Sequence, residues 1–208
     1  MEIGISLQKK TVHAIERERP DVVAKREAWT KFQAEILPDK LLFLDESGVN
    51  TNMSRLYARA RGGQRANDGI PLNTGASTTI LSSVRLSGET VYTTFPGAVN
   101  AERFKEYLRE LLVKSLRPGD IVIMDNLRSH KVTGVAELIA SAGATVLYLP
   151  PYSPDLNPIE QMWSKIKAFL RMVKARSVHA LLSAIPLAFS SVACSDISGW
   201  FKHAGYSC

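Results

Sequence analysis

Tyr148–Glu160 reads YLPPYSPDLNPIE and places Pro150, Pro151, Pro154 and Pro158 within nine residues. An apolar strand pattern, Thr145–Leu149 (TVLYL), runs into this stretch, and a helical pattern, Pro158–Val173, leads out of it. Strand, stiff loop and helix in succession belong to an α/β layer. Proline locks φ and restricts the residue before it, so the loop sets where the helix begins and which way Glu160 points. Two readings of Glu160 share this geometry. With Asn157 as N-cap and Pro158 first in the helix, Glu160 has capping-box spacing. Alternatively, the prolines hold a functional carboxylate in place.

Working outward, the chain alternates in period. Lys9–Arg19 (KKTVHAIERER) reads as a linker or arm, and Pro20–Leu37 as a helix with proline in its first turn. Leu41–Asp45 (LLFLD) reads as a buried strand ending in an acid. Two strands are expected within Ala76–Leu86 and Thr90–Phe95, joined by a Ser87-Gly88 turn as an antiparallel hairpin. In Asn100–Leu116 the residues Phe104, Tyr107, Leu108, Leu111 and Leu112 fall on one helical face. Ile121–Asp125 (IVIMD) is a second apolar strand ending in an acid. Helices are expected over Lys131–Ala142, closed by Gly143, and over Val178–Val192, bent at Pro186. The order predicts an α/β fold with a partly parallel, mixed sheet, an antiparallel hairpin and flanking helices.

Asp45 and Asp125 each follow four apolar residues. Either is a strand-end turn residue on its own. If the strands are neighbours, the two carboxylates meet at the sheet end where α/β folds bind ligands. Two such charges repel unless one is neutralised or a cation sits between them. Mg²⁺ takes oxygen ligands, commonly one or two carboxylates plus phosphate oxygens. Glu160 is the third candidate, since ions that clamp both oxygens of a phosphoryl displacement need precise carboxylate placement. Glu46 points the opposite way along the strand and stays outside this set. Asn126 either holds the Asp125 carboxylate or caps a turn. His130, in DNLRSHK, either orients a water or phosphate or is structural.

Net charge is +6 with a pI near 9.4, which suits an anionic partner. Lys165, Lys167 and Arg171 follow Glu160 on the same helix, as a phosphate-backbone track or as a solvated face. Arg55, Arg59, Arg61 and Arg65 surround Gly62-Gly63, as phosphate contacts or as an exposed hairpin. Two cysteines, Cys194 and Cys208, form no metal or disulfide framework and suit a reducing compartment. Met1–Lys10 lacks the apolar core of a signal peptide, and no membrane association is expected.

LLFLDESGVN, IVIMDNLRSHK and LYLPPYSPDLNPIEQMWSKIK, in this order, resemble the DDE-superfamily transposases of bacterial insertion sequences, in the branch allied to mariner elements. MSRLYARARGGQRA resembles the segment after the first aspartate in that branch. The 34 residues between Asp125 and Glu160 suit the Asp-Asp-Glu version. The resemblance implies a ribonuclease-H-like catalytic domain over residues 39–208, with 1–38 an arm and helix following an absent DNA-binding region. It implies that Asp45, Asp125 and Glu160 bind two Mg²⁺ or Mn²⁺ ions. The implied reaction is hydrolysis at a transposon end, then attack of the freed 3′-hydroxyl on target DNA. Transposon-end and target DNA, a homodimer assembled on DNA and a separate N-terminal DNA-binding polypeptide are the implied partners, in the cytoplasm with the nucleoid. The alternatives are a non-catalytic DNA-binding or dimerising fragment that regulates a full-length transposase, and a general nuclease or ribonuclease H.

Overall fold

The computed structural model describes residues 13–55, 57–75 and 77–206. The readings of Met1–Lys10, of the start of the arm before His13 and of Cys208 lie outside the described residues. The strands are β1 (Leu41–Val49), β2 (Thr78–Arg85), β3 (Thr90–Pro96), β4 (Ile121–Met124) and β5 (Thr145–Tyr148). They form one sheet in the order β3-β2-β1-β4-β5. β1, β2 and β3 pair antiparallel, while β4 joins β1, and β5 joins β4, in parallel. This is the expected mixed sheet with its hairpin.

The central strands read as unbroken apolar runs because helices cover both faces. Alternation sends Leu41, Phe43, Ile80, Val84 and Ile123 to one core, and Leu42, Leu44, Leu81, Val122 and Met124 to the other. The first core is closed by α1 (Pro20–Glu35), α5 (Pro158–Val173), α6 (Val178–Ser190) and α7 (Cys194–His203). α2 (Ala101–Tyr107) and α4 (Val135–Ala140) close the second. No single helix among the described residues is long and apolar enough to cross a membrane.

Four expectations are corrected. Asp45 does not end β1. The strand runs on to Val49, because β2 continues to pair with it after β4 has stopped. The helix after Asn100 contains a π turn, Leu108–Leu112, before α3 (Val113–Ser115). One extra residue in that turn rotates the face, so Leu111 is exposed while Phe104, Tyr107, Leu108 and Leu112 stay buried. The helix expected from Lys131 begins at Val135, after a 3-10 turn over Arg128–Lys131 and Gly134 at φ 94°. α6 runs through Pro186 and stops at Ser190, and α7 follows it as a separate helix.

α1 is tied to the rest of the chain at several points. Trp29 sits in the first core, and its indole donates to the Tyr206 hydroxyl at 3.1 Å. Tyr206 donates in turn to the Leu156 carbonyl. Arg26 donates to Ser153 Oγ at 2.6 Å and to Asp155 at 2.8 Å. Arg17, in the arm, also reaches Asp155. Helix α1 thus buttresses the proline loop.

One buried ion pair closes the opposite end of the sheet. Arg85 on β2 donates to Asp120 at 2.5 Å, with both side chains almost wholly buried. Asp120 also accepts from the Arg117 amide. Burial alone would raise its pKa, but the Arg85 bond and the amide outweigh that and hold it below the usual carboxylate range. Removing one partner strands the other, so Asp120→Ala should cost about 3–5 kcal/mol in urea unfolding. Because the folded pKa is depressed, this pair stabilises the fold above the unfolded value and is lost as pH falls through the folded one. Wild type should therefore lose stability below about pH 4, and Asp120→Asn should flatten that part of the curve.

Candidate active site

β1 and β4 pair in register as Leu41↔Ile121, Leu42↔Val122 and Phe43↔Ile123. Two residues further along each strand stand Asp45 and Asp125. The parallel register therefore brings the carboxylate-bearing positions side by side, on the face covered by α5. Beyond Met124, β4 has turned away, and that opens a gap beside the continuing β1. The first turn of α5 brings Glu160 to this gap. Asp45, Asp125 and Glu160 line one cleft of about 540 Å³, walled by Leu149–Pro154 and Asn157.

The proline loop acts as the sequence suggested in one respect and differs in another. Pro158 opens α5, and Asn157 occupies the N-cap position, but its side chain makes no capping hydrogen bond. The Asn157 amide bonds Pro154 rather than the Glu160 carboxylate. The capping-box reading of Glu160 therefore falls away, and its side chain faces the cleft. Within the loop, Tyr152 takes a left-handed conformation, φ 56°. Arg26 and Arg17 hold the loop from outside through Ser153 and Asp155.

The carboxylates feel one another. Burial, and then the Glu160 charge, push Asp45 up to about 7, with Glu46 and Asp125 adding to the rise and the Glu46 amide opposing it. Burial and the Asp125 charge also raise Glu160, against the pull of Lys167. Asp125 is held low despite burial, because the His130 ring lies against it and the Leu127 amide donates to it. Asp45 Oδ1 accepts from the Glu46 amide at 2.8 Å, and Oδ2 from the Trp163 indole at 3.1 Å. Hard oxygen donors whose charges repel one another suit a divalent cation. Among the described residues, no three His, Cys, Asp or Glu side chains close round a single point.

Other expected residues divide. Arg55, Lys167 and Arg171 line one groove together with Asn50 and Ile70. Arg55, Lys165 and Arg171 line an adjoining groove with Tyr57, Phe169 and Met172. Lys165 is also paired with Asp196. Arg59, Arg61 and Arg65 are exposed on the β1–β2 connection, outside the linings of both grooves. Asn126 does not hold Asp125. It donates to the Leu149 carbonyl and accepts from Lys131, linking the ends of β4 and β5. His130 does not face the cleft as a ligand for water or phosphate. It is fully buried between Glu46 and Asp125.

Two site residues escape a reading of the sequence. Trp163 falls on the apolar face of α5 and reads as core. Its signal is the indole N–H, a buried donor that needs an acceptor. Glu46 points away from Asp45, and nothing along the chain marks its link to His130.

The strand order and the mixed pairing define a ribonuclease-H-like fold. Residues 40–182 match the family model described as DDE superfamily endonuclease, and the chain belongs to that family. No curated protein matches the chain. Among solved structures, the Mos1 transposase paired-end complex with left transposon end is 19% identical with a TM-score of 0.77, over 98% of this chain and 64% of that one. The mariner Mos1 paired-end complex with Mg is 20% identical, TM-score 0.74, over 98% and 64%. The catalytic domain of Mos1 mariner transposase is 15% identical, TM-score 0.67, over 95% and 93%. The chain thus spans about 64% of the Mos1 chains in the paired-end complexes. At these identities the likeness is one of fold.

Crowded acids cost stability. A carboxyl moved from 3.8 to about 7 destabilises the ionised fold by up to about 4 kcal/mol. The folded pKa is raised, so the penalty is absent below the unfolded value and complete above the folded one. Asp45→Asn should therefore stabilise the metal-free protein at pH 8 by about 1–4 kcal/mol in urea unfolding, with the gain vanishing near pH 4.

Proposed function

We propose that the chain carries the catalytic domain of an insertion-sequence transposase, which nicks DNA at a transposon end and joins the freed 3′-hydroxyl to target DNA. The observation that carries this reading is the meeting of Asp45, Asp125 and Glu160, from β1, the end of β4 and the first turn of α5, in one cleft. Membership of the DDE endonuclease family and the fold likeness to Mos1 complexes containing transposon ends and Mg support it.

In this reading Asp45, Asp125 and Glu160 would hold two Mg²⁺ or Mn²⁺ ions. When bound, the ions would activate the attacking water or 3′-hydroxyl and stabilise the leaving oxygen. The protein's own groups do the rest. Trp163 and the Glu46 amide hold Asp45 on the cleft side. The braced proline loop positions Glu160. Lys167, Arg171 and Arg55 take up phosphate charge along the groove beside α5. Arg59, Arg61 and Arg65 would follow DNA further out on the β1–β2 connection. Residues 39–208 act as the catalytic domain, with end recognition supplied from outside them. The working form is a homodimer on DNA, in the cytoplasm with the nucleoid.

The test is nicking of supercoiled DNA in Mg²⁺ or Mn²⁺ by wild type beside Asp45→Ala, Asp125→Ala and Glu160→Ala. Each variant should fall to background while still binding DNA. Transposon-end duplex should be cut in preference to random duplex and to an RNA–DNA hybrid. Metal-dependent cleavage that survives in all three variants would sink the assignment. An Asp45→Ala chain indistinguishable from wild type would point to a non-catalytic DNA-binding fragment.

A further inference from the structure

The buried His130 has no part in the chemistry described so far, and the sheet explains its place. Asp45 and Asp125 face α5, whereas Glu46, one residue along β1, projects to the opposite face. That face is the core of Phe104, Val122 and Met124. His130 packs there, with its ring 4.5 Å from the Phe104 ring and inclined by 30°. Its Nε2 is 3.0 Å from Glu46 Oε2, and its Nδ1 is 2.8 Å from Asp125 Oδ1. The ring thus reaches round the end of β4 and meets Asp125 from behind the cleft.

We infer that Glu46 and His130 form a positioning pair for Asp125, holding that carboxylate at the angle a divalent cation in the cleft requires. The inference rests on the proposed role of Asp125 as a metal ligand. Three features of the geometry support it. The imidazole is fixed on several sides, by Phe104, by Glu46 and through its own backbone, whose carbonyl accepts the Tyr148 hydroxyl at 3.0 Å and whose amide bonds the Leu127 carbonyl. The ring lies between two carboxylates, with Glu46 Oε2 at 3.0 Å from one nitrogen and Asp125 Oδ1 at 2.8 Å from the other, so it links β1 to the residue that follows β4. Both the ring and the Leu127 amide contact Asp125 at Oδ1, which leaves Oδ2 as the oxygen for a ligand. The Nδ1 contact is close but not aligned as a hydrogen bond. A tightening of that contact when a cation pulls on Oδ2 is what a positioning group would supply.

Outer groups of this kind typically govern metal affinity by about 10–100-fold. The test measures Mn²⁺ binding by calorimetry, on full-length wild type and the Glu46→Ala, Glu46→Gln and Asp125→Asn variants, with melting curves as the control for folding. Glu46→Ala should weaken Mn²⁺ binding by about tenfold or more. Glu46→Gln keeps an acceptor for Nε2 and should restore most of the affinity. A purely structural glutamate would lower the melting temperature and leave the isotherm alone. Unchanged affinity in Glu46→Ala, with binding lost in Asp125→Asn, overturns the pair and spares the metal site. Unchanged affinity in Asp125→Asn overturns the site itself. If Glu46→Ala does not fold, the ¹⁵N ring resonances of His130 in wild type decide. They should move when Mg²⁺ is added, and a ring indifferent to Mg²⁺ overturns the inference.

Discussion

Parallel hydrogen bonding between β1 and β4 matches three residue pairs and then ends, while β1 continues along β2. A parallel ladder keeps its two strands in fixed register, so residues equally far beyond the last pair stay level. That constraint sets Asp45 beside Asp125, and the departure of β4 leaves room for what they face. A shift of one residue would turn one of the two acids to the other core. The apolar residues on both faces of these strands oppose such a shift, because each is committed to one of two separate cores.

Two further supports converge on the same gap. On one face, α5 delivers Glu160 and the Trp163 indole, and its start is set by a proline loop pinned from outside by Arg26 and Arg17. On the other, Glu46 and His130 back Asp125. The cleft is therefore braced from both sides of the sheet, although its carboxylates repel. The fold tolerates a destabilising arrangement there and offsets it with the burial of its two apolar cores. That division is what the proposed metal site requires.

Much of the architecture was legible because the relevant signals are local. Apolar runs such as LLFL and IVIM mark strands, Gly143 marks a stop, and the helical pattern from Pro158 marks α5. The misreadings also have physical causes. The end of β1 depends on which neighbour continues to pair, and the exposure of Leu111 depends on a π turn whose single extra residue leaves no mark in the spacing. Asn126 reads as a partner of Asp125 or as a turn cap, and it instead bridges to Leu149, twenty-three residues on.

By itself the sequence determined which acids can matter. Two aspartates each end an apolar run and one glutamate opens a helix behind four prolines, and backbone stiffness and side-chain period act over a few residues. Only the tertiary structure decided that these acids share a cleft, that Trp163 bonds Asp45 and that His130 stands between Glu46 and Asp125. Those contacts join residues separated by as many as 118 positions. They exist only once strand register and helix packing have brought distant segments together.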